Sequence, residues 1–324
     1  MSDIVIAVRT HVWNDAVNKV AEEVTNVFHD KRFSVVILVD ETNGKLNIPD
    51  HFKVVSHTSN FSDFGLPEVP DNRSLWWNAD YPMYTLQQAF PQHKFYLMIE
   101  NDVAVTPGLD DLITSYVDDG VDFIGEDIKK FTGYNGIQKR STSKWTTHEL
   151  WRSYIQILGL SNKAITELLR QRNNIKNTIF DGTEDTWPYC EIYIASALIG
   201  NPTTTFKYKD LFKSNLNKAN FSANIASPIS DGRNWLPNSI SHPVLGNVDT
   251  VKKLINSNST MLGKSFSSVT KLNVALSYIF SQKNVSENEK KEIVKFILNE
   301  LSVKSPGKIS EFIDMAARES WINF

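Results

Sequence analysis

Two acidic residues, Glu100 and Asp102, end an apolar stretch in which a carboxylate is unexpected. The stretch reads FYLMIENDVAV over residues 95–105. Its β-branched and aromatic residues predict a strand buried on both faces. Side chains two positions apart on an extended chain point the same way, and divalent cations prefer carboxylate oxygens. The spacing therefore favours a cation bound at the end of this strand. A helix cap or an exposed turn is the alternative.

The residues before this strand predict an α/β sheet that would place charged side chains along one edge. Strands are predicted over residues 4–8, 34–40 and 53–56, and helices over 15–28 and 78–90. This order implies parallel strands joined by a right-handed crossover. Open α/β sheets bind ligands at the carboxyl ends of their strands. Four residues would share that rim: Arg9, Asp40, Glu100 and Asp102.

Composition and charge exclude several function classes. The 324 residues are 41% hydrophobic and 22% charged, as in ordinary globular proteins, and the net charge of −3 offers no basic surface for nucleic acid. Neither a GxGxxG after the first strand nor a P-loop sequence is present. The single cysteine, Cys190, the lack of an apolar signal segment and the lack of a long apolar run lead us to expect a cytoplasmic protein.

The strand-helix-strand opening and the acidic pair after a hydrophobic strand resemble the GT-A glycosyltransferases. Their DxD motif corresponds here to an ExD variant, Glu100-Asn101-Asp102. The resemblance implies that Asp102 binds Mn²⁺ or Mg²⁺ at the diphosphate of a nucleotide-sugar donor, with a UDP-sugar favoured. It also implies that Glu100 contacts the ribose, or the metal through water. Three more residues complete the expected donor-binding set: Arg9, Asp40 and Arg73.

His242 is the second candidate metal ligand. It lies in the segment NWLPNSISHPV, residues 234–244, after the central part of the chain. The resemblance implies that a late histidine completes the metal shell. A carboxylate, an imidazole and diphosphate oxygens would then form an octahedral set. The alternative is a loop histidine held by backbone hydrogen bonds.

Three acids in the segment GTEDTWPYCEIYIASAL, residues 182–198, are candidates for a catalytic base. Pro188 suits the first turn of a helix, and Glu191 would lie in the same turn. The resemblance implies that one acid of this segment accepts the proton of the acceptor hydroxyl if the enzyme inverts. The alternative is that they only complement the helix dipole. The sequence does not choose among the three candidates: Glu184, Asp185 and Glu191.

Six tryptophans fall between residues 76 and 235, in the same part of the chain as these acids. Aromatic rings can stack on the apolar faces of sugars, but most tryptophans belong to the hydrophobic core. We therefore expect about a third of them in the site, in keeping with the usual burial of tryptophan. The six are Trp76, Trp77, Trp145, Trp151, Trp187 and Trp235.

The expected protein is a metal-dependent glycosyltransferase, of hexosyltransferase type and active in polysaccharide biosynthesis. It would move a sugar from a nucleotide-diphosphate donor to a saccharide or lipid-linked acceptor. The expected fold is α/β, with a mostly parallel, Rossmann-like sheet flanked by helices. A catalytic domain over residues 1–247, with a donor half to about 125 and an acceptor half from 126, would precede a helical appendage over 248–324.

The location and the function each have alternatives that the sequence allows. Peripheral contact with the inner face of a membrane is an alternative to a purely cytoplasmic location, and the oligomeric state is undetermined. Two other functions compete with glycosyl transfer. One is a sugar nucleotidyltransferase, which also uses a Rossmann-like sheet and an acidic metal site. The other is a degenerate transferase that serves as a non-catalytic binding subunit.

Overall fold

The computed structural model divides the chain into two compact units. The first comprises Met1–Asn101 and Pro107–Leu216, and the second comprises Asp102–Thr106 and Asn217–Phe324. The predicted appendage lies within the second unit, while the predicted boundary at residue 247 stays a prediction. The structure describes residues 3–67, 74–132, 145–146, 149–183, 186–200, 205–214, 216, 227–228, 239–256, 276–277, 280, 285–304, 306–319 and 321.

The first unit is built on a seven-stranded mixed sheet. Its strands are β1 (Ile4–Thr10), β2 (Phe33–Asp40), β3 (Val54–His57), β4 (Phe95–Glu100), β6 (Phe123–Lys130), β7 (Trp151–Ser161) and β8 (Tyr208–Asp210). The short β5 (Ala104–Val105) belongs to the second unit. The strand order is β3-β2-β1-β4-β7-β6-β8. Only β7 runs antiparallel to its neighbours, so the predicted α/β fold with a mostly parallel sheet is confirmed.

The described α-helices of the first unit lie between its strands along the chain. They are α1 (Asp15–Val27), α2 (Ser74–Trp77), α3 (Tyr81–Ala89), α4 (Leu109–Asp118), α5 (Asn162–Thr178) and α6 (Cys190–Ala195). Helix α1 is capped by Asn14, whose side chain accepts a hydrogen bond from the Val17 N–H, and the apolar face of the helix is buried. Strands β1 and β4 are buried at nearly every position, as expected for strands covered on both faces.

A buried ion pair joins α5 to the start of α3. The guanidinium of Arg172 donates two hydrogen bonds to the carboxylate of Asp80, at 2.9 and 2.8 Å, and neither side chain is exposed. Arg172 donates a third bond to the Pro188 carbonyl at 2.8 Å. Tyr84 donates to the same carboxylate of Asp80 at 2.7 Å. The pair therefore anchors the segment that leads into α6.

The second unit combines short strands with a C-terminal helical segment. Its elements are β5, β9 (Ser227–Pro228), β10 (Ile240–Ser241), β11 (Val244–Leu245), α7 (Asn247–Asn256), α8 (Glu287–Lys304) and α9 (Ile309–Arg318). Strand β10 pairs with β5, and β11 pairs with β9. Apolar side chains of the helices, including Val251, Ile293 and Phe312, form one buried cluster.

A capping box precedes α8. Ser286 Oγ accepts a hydrogen bond from the Glu289 N–H at 3.2 Å, and Glu289 Oε2 accepts one from the Ser286 N–H at 2.8 Å. Part of the helical appendage expected over residues 248–324, including residues 257–275, lies outside the described residues. Among the helices that are described, none has both the length and the apolar character needed to cross a membrane.

Candidate active site

The centre of the first unit's sheet has the topology of a ligand site. Strand β1 pairs with β2 on one side and with β4 on the other, so the strand order reverses at β1. Open α/β sheets bind ligands at the carboxyl ends of the strands where this reversal occurs. Arg9 and Glu100 are register partners at that point, and Arg9 Nη1 lies 3.9 Å from Glu100 Oε1. Arg9 Nη2 also donates to the Leu75 carbonyl at 2.6 Å.

Asp40 and His57 end the next two strands along the same edge and are partners in register. Asp40 Oδ1 accepts a hydrogen bond from the Thr42 N–H at 2.9 Å. His57 is buried, and burial lowers the pKa of its imidazole, while the Thr58 carbonyl beside Nδ1 opposes the shift. Within the described part of the chain, His57 Nε2 has no hydrogen-bond partner. The imidazole is therefore a neutral polar group available at this edge.

A second group of acids in the first unit surrounds Glu191 in the first turn of α6. Burial raises the pKa of Glu191 to about 7, although a hydrogen bond with Tyr189 and the charge of Arg152 lower it. The charge of Glu100 adds to the rise. A carboxyl group that titrates near neutral pH is suited to general acid–base catalysis. Of the three candidate bases, Glu191 lies among the described residues, and its raised pKa suits a general base.

Glu126 on β6 belongs to the same electrostatic group. Its side chain is fully buried, and Oε1 accepts a hydrogen bond from the Ile157 N–H at 3.1 Å. Oε2 has no partner among the described residues. Burial, followed by the charge of Glu100, raises its pKa well above the ordinary range. The burial that raises this pKa therefore disfavours the charged form of Glu126.

In the second unit, Asp102 and His242 face each other. Pairing of β10 with β5 brings the two chain segments together, and the Val244 N–H donates to the Asp102 carbonyl at 2.7 Å. His242 is buried, and its Nε2 atom lies 3.6 Å from Asp102 Oδ1. This separation is too long for a hydrogen bond. Two ligand atoms that each lie about 2.0–2.2 Å from one ion are at most about 4.4 Å apart, so the pair fits a shared cation.

The other predicted site residues are placed differently. Arg73, Glu184, Asp185 and Trp235 lie outside the described residues. Trp187 is buried, and Trp77, Trp145 and Trp151 pack against the same core, which agrees with a structural role. Trp76 is 51% exposed.

Sequence reasoning did not single out Glu126, His57, Arg152 or Tyr189. For Glu126 a signal was present, because an acid interrupts the apolar strand segment FIGEDI in the way that Glu100 ends FYLMIE. A carboxylate at such a position requires a partner or a raised pKa. For Arg152 no local pattern marks a role, because its relation to Glu191 depends on packing between distant segments. Tyr189 lies two residues before Glu191, but no sequence pattern indicates that its hydroxyl bonds to that carboxylate.

Comparisons with known proteins give distant structural similarity. No protein-family model and no curated protein matches the sequence. The chain is similar to a glycosyltransferase involved in the glycosylation of the major capsid of PBCV-1, with 13% identity, a TM-score of 0.37, and coverage of 65% of this chain and 84% of that one. It is also similar to the galactosyltransferase LgtC, solved in complex with donor and acceptor sugar analogs, with 14% identity, a TM-score of 0.40, and coverage of 90% and 99%.

A third solved structure belongs to another enzyme class. It is 4-diphosphocytidyl-2C-methyl-D-erythritol synthase from Anaerococcus prevotii, with 8% identity, a TM-score of 0.34, and coverage of 64% of this chain and 89% of that one. Identities of 14% or less and TM-scores of 0.40 or less assign neither a family nor an activity. Any assignment of function must therefore rest on the residues of the site.

Proposed function

We propose that this protein is a metal-dependent glycosyltransferase of GT-A type. The observation that carries the proposal is the position of the acids. Glu100 ends β4 beside Arg9 at the strand-order reversal of the first unit, and Asp102 follows two residues later along the chain. Within the second unit, Asp102 lies 3.6 Å from His242. The enzyme would move a sugar from a nucleotide-diphosphate donor, with a UDP-sugar favoured, to an acceptor hydroxyl.

In this proposal the rim of the first unit binds the donor. The Glu100 carboxylate can accept hydrogen bonds from ribose hydroxyls, and the guanidinium of Arg9 can donate to ribose or phosphate oxygens. Asp40, at the end of β2, is proposed to contact the nucleoside. Arg73 is retained as a donor contact from the sequence pattern.

Asp102 and His242 are proposed to hold a divalent cation. One carboxylate oxygen and one imidazole nitrogen leave further positions for water and for donor oxygens, and this mixed set suits Mn²⁺ better than Mg²⁺, which favours oxygen ligands alone. A cation held by these two residues would supply positive charge to neutralise a diphosphate leaving group. The protein's own contribution is to place these two side chains before the donor arrives.

Glu191 is proposed as the base of an inverting transfer. Its carboxylate would accept the proton of the acceptor hydroxyl while that oxygen bonds to the anomeric carbon and the bond from that carbon to the diphosphate breaks. The raised pKa of about 7 makes the carboxylate a stronger base than an ordinary glutamate. Tyr189, which hydrogen-bonds Glu191, would orient it. Glu184 and Asp185 remain alternatives from the sequence.

The test is a screen of donor turnover. The protein is incubated with Mn²⁺ and UDP-, GDP- or CDP-sugars, with and without saccharide acceptors, and nucleoside diphosphate release is measured. Metal-dependent release supports the proposal. Diphosphate release from a nucleoside triphosphate and a sugar phosphate would instead identify a nucleotidyltransferase. If Mn²⁺ and the donors neither raise the melting temperature nor react, the protein is a non-catalytic subunit, because a bound ligand must stabilise the folded state.

A further inference from the structure

One aromatic side chain of the first unit is exposed although its neighbours are packed. Trp76 on α2 is 51% exposed, more than any other large apolar side chain in the described part of the chain. Trp77, the next residue, packs against the core. Half-exposed tryptophans lose part of the stability gained by burial, and they are enriched where a partner or ligand covers them. Trp76 is therefore a candidate for contact with a bound ligand.

The position of Trp76 is fixed by its surroundings. Its ring lies 5.3 Å from the ring of Trp77 at 73° and 6.4 Å from the ring of Tyr189. On one side, the Leu75 carbonyl accepts the hydrogen bond from Arg9. On the other, the Trp76 carbonyl accepts a bond from the Cys190 thiol at 3.6 Å. The indole is thus a preformed surface between the end of β1 and the start of α6.

The same contacts connect Trp76 with the candidate base. Tyr189, whose ring borders those of Trp76 and Trp77, is hydrogen-bonded to Glu191. A sugar ring has an apolar C–H face and carries its hydroxyls around the edge. A ring that lies on the indole could therefore turn an edge hydroxyl toward Tyr189 and Glu191.

We infer that Trp76 is the stacking platform for the acceptor, and that the acceptor end is a saccharide ring with an apolar face. The inference rests on the proposed function and names the acceptor class within it. The chemistry favours a saccharide over a lipid surface, because only four large apolar side chains of the described residues are exposed: Val12, Val54, Trp76 and Tyr208. A membrane-binding surface needs a contiguous apolar patch.

The experiment compares Trp76→Ala with Trp76→Phe, and uses Tyr208→Ala as a matched change of an exposed aromatic residue. Acceptors are taken from a panel of methyl glycosides and disaccharides, with the donor that the wild-type protein turns over fastest. Loss of an aromatic stacking contact should raise the acceptor KM of Trp76→Ala about 3- to 10-fold. The donor KM should change much less, and Trp76→Phe should recover most of the loss. Tyr208→Ala should match the wild type.

The outcomes separate this inference from the proposed function. An unchanged acceptor KM in folded Trp76→Ala overturns the inference that Trp76 binds the acceptor. An equal rise in the donor KM and the acceptor KM also overturns it. Donor hydrolysis without transfer to any saccharide overturns the inference and leaves the proposed function standing. If no donor is turned over, the proposed function fails, and saturation-transfer NMR with the same glycosides still decides the platform. Signals lost only in Trp76→Ala support it, whereas the absence of signals from the wild type, or signals retained in Trp76→Ala, refutes it.

Discussion

Replacing Glu191 with glutamine tests the proposed base through its proton. Glutamine keeps the size of the side chain and an oxygen that can accept the Tyr189 hydrogen bond, but it cannot take a proton. Removal of a general base typically lowers the rate by about 10²–10⁴-fold. We therefore expect kcat of Glu191→Gln to fall by that factor in the donor-transfer assay, with little change in either KM.

The pH dependence gives a second readout with a defined sign. A base acts in its deprotonated form, so wild-type kcat should rise with pH through about 7 and then level. The residual activity of Glu191→Gln should lack this rise. Glu22→Gln, which changes an exposed acid on α1, is the matched control and should keep the wild-type profile.

Stability should change with pH for the same reason. The folded state holds the Glu191 proton up to about pH 7, whereas the unfolded chain releases it near the ordinary value of 4.5. Between these values the folded state binds more protons, so this group makes stability fall as pH rises. The difference of about 2.5 pKa units corresponds to about 3 kcal/mol.

Urea denaturation of both proteins at pH 4.5 and 8 measures this effect. Relative to the wild type, Glu191→Gln should gain up to about 3 kcal/mol of unfolding free energy between the two pH values. A gain near zero would show that Glu191 is not perturbed by burial. An unchanged pH–rate profile in the variant would refute its role as the base.

Two further substitutions test the buried ion pair of Arg172 and Asp80 and the proposed metal ligand His242. Arg172→Met should lower the unfolding free energy by about 3–5 kcal/mol in urea denaturation, because it leaves the buried carboxylate of Asp80 without its cationic partner. A loss below about 1 kcal/mol, the range of exposed ion pairs, would contradict this expectation. His242→Ala should weaken Mn²⁺ binding in calorimetry far more than donor binding without metal. Unchanged Mn²⁺ affinity in the folded His242→Ala protein would remove His242 from the metal site.

Elements that depend on local pattern were predictable from the sequence. Strands β1, β2 and β4 are continuous apolar runs, and the apolar face of α1 repeats with helical spacing. The capping box at Ser286 and Glu289 is a local hydrogen-bond exchange, so its two residue types suffice to predict it. The acids at the strand ends could also be identified from local sequence, because an acid directly after an apolar run is unusual in any fold.

Elements that depend on distant neighbours were not predictable. Strand β7 mixes polar and apolar residues and runs antiparallel between β4 and β6, so its place follows from pairing rather than from its own periodicity. The ion pair of Arg172 and Asp80 joins residues 92 positions apart. Glu191 could not be separated from Glu184 and Asp185, because its raised pKa arises from burial that only the folded chain shows.

Release of nucleoside diphosphate by the wild type and by Asp102→Asn, measured against Mn²⁺ concentration, shows whether Asp102 binds a cation that the reaction requires. Asp111→Asn, which neutralises an exposed acid on α4, serves as the matched control. Release by the wild type and by the control should rise with Mn²⁺ and saturate. Asp102→Asn should show no release at any Mn²⁺ concentration while keeping its melting temperature. Release that is independent of Mn²⁺, or equal in folded Asp102→Asn and the wild type, would contradict the account.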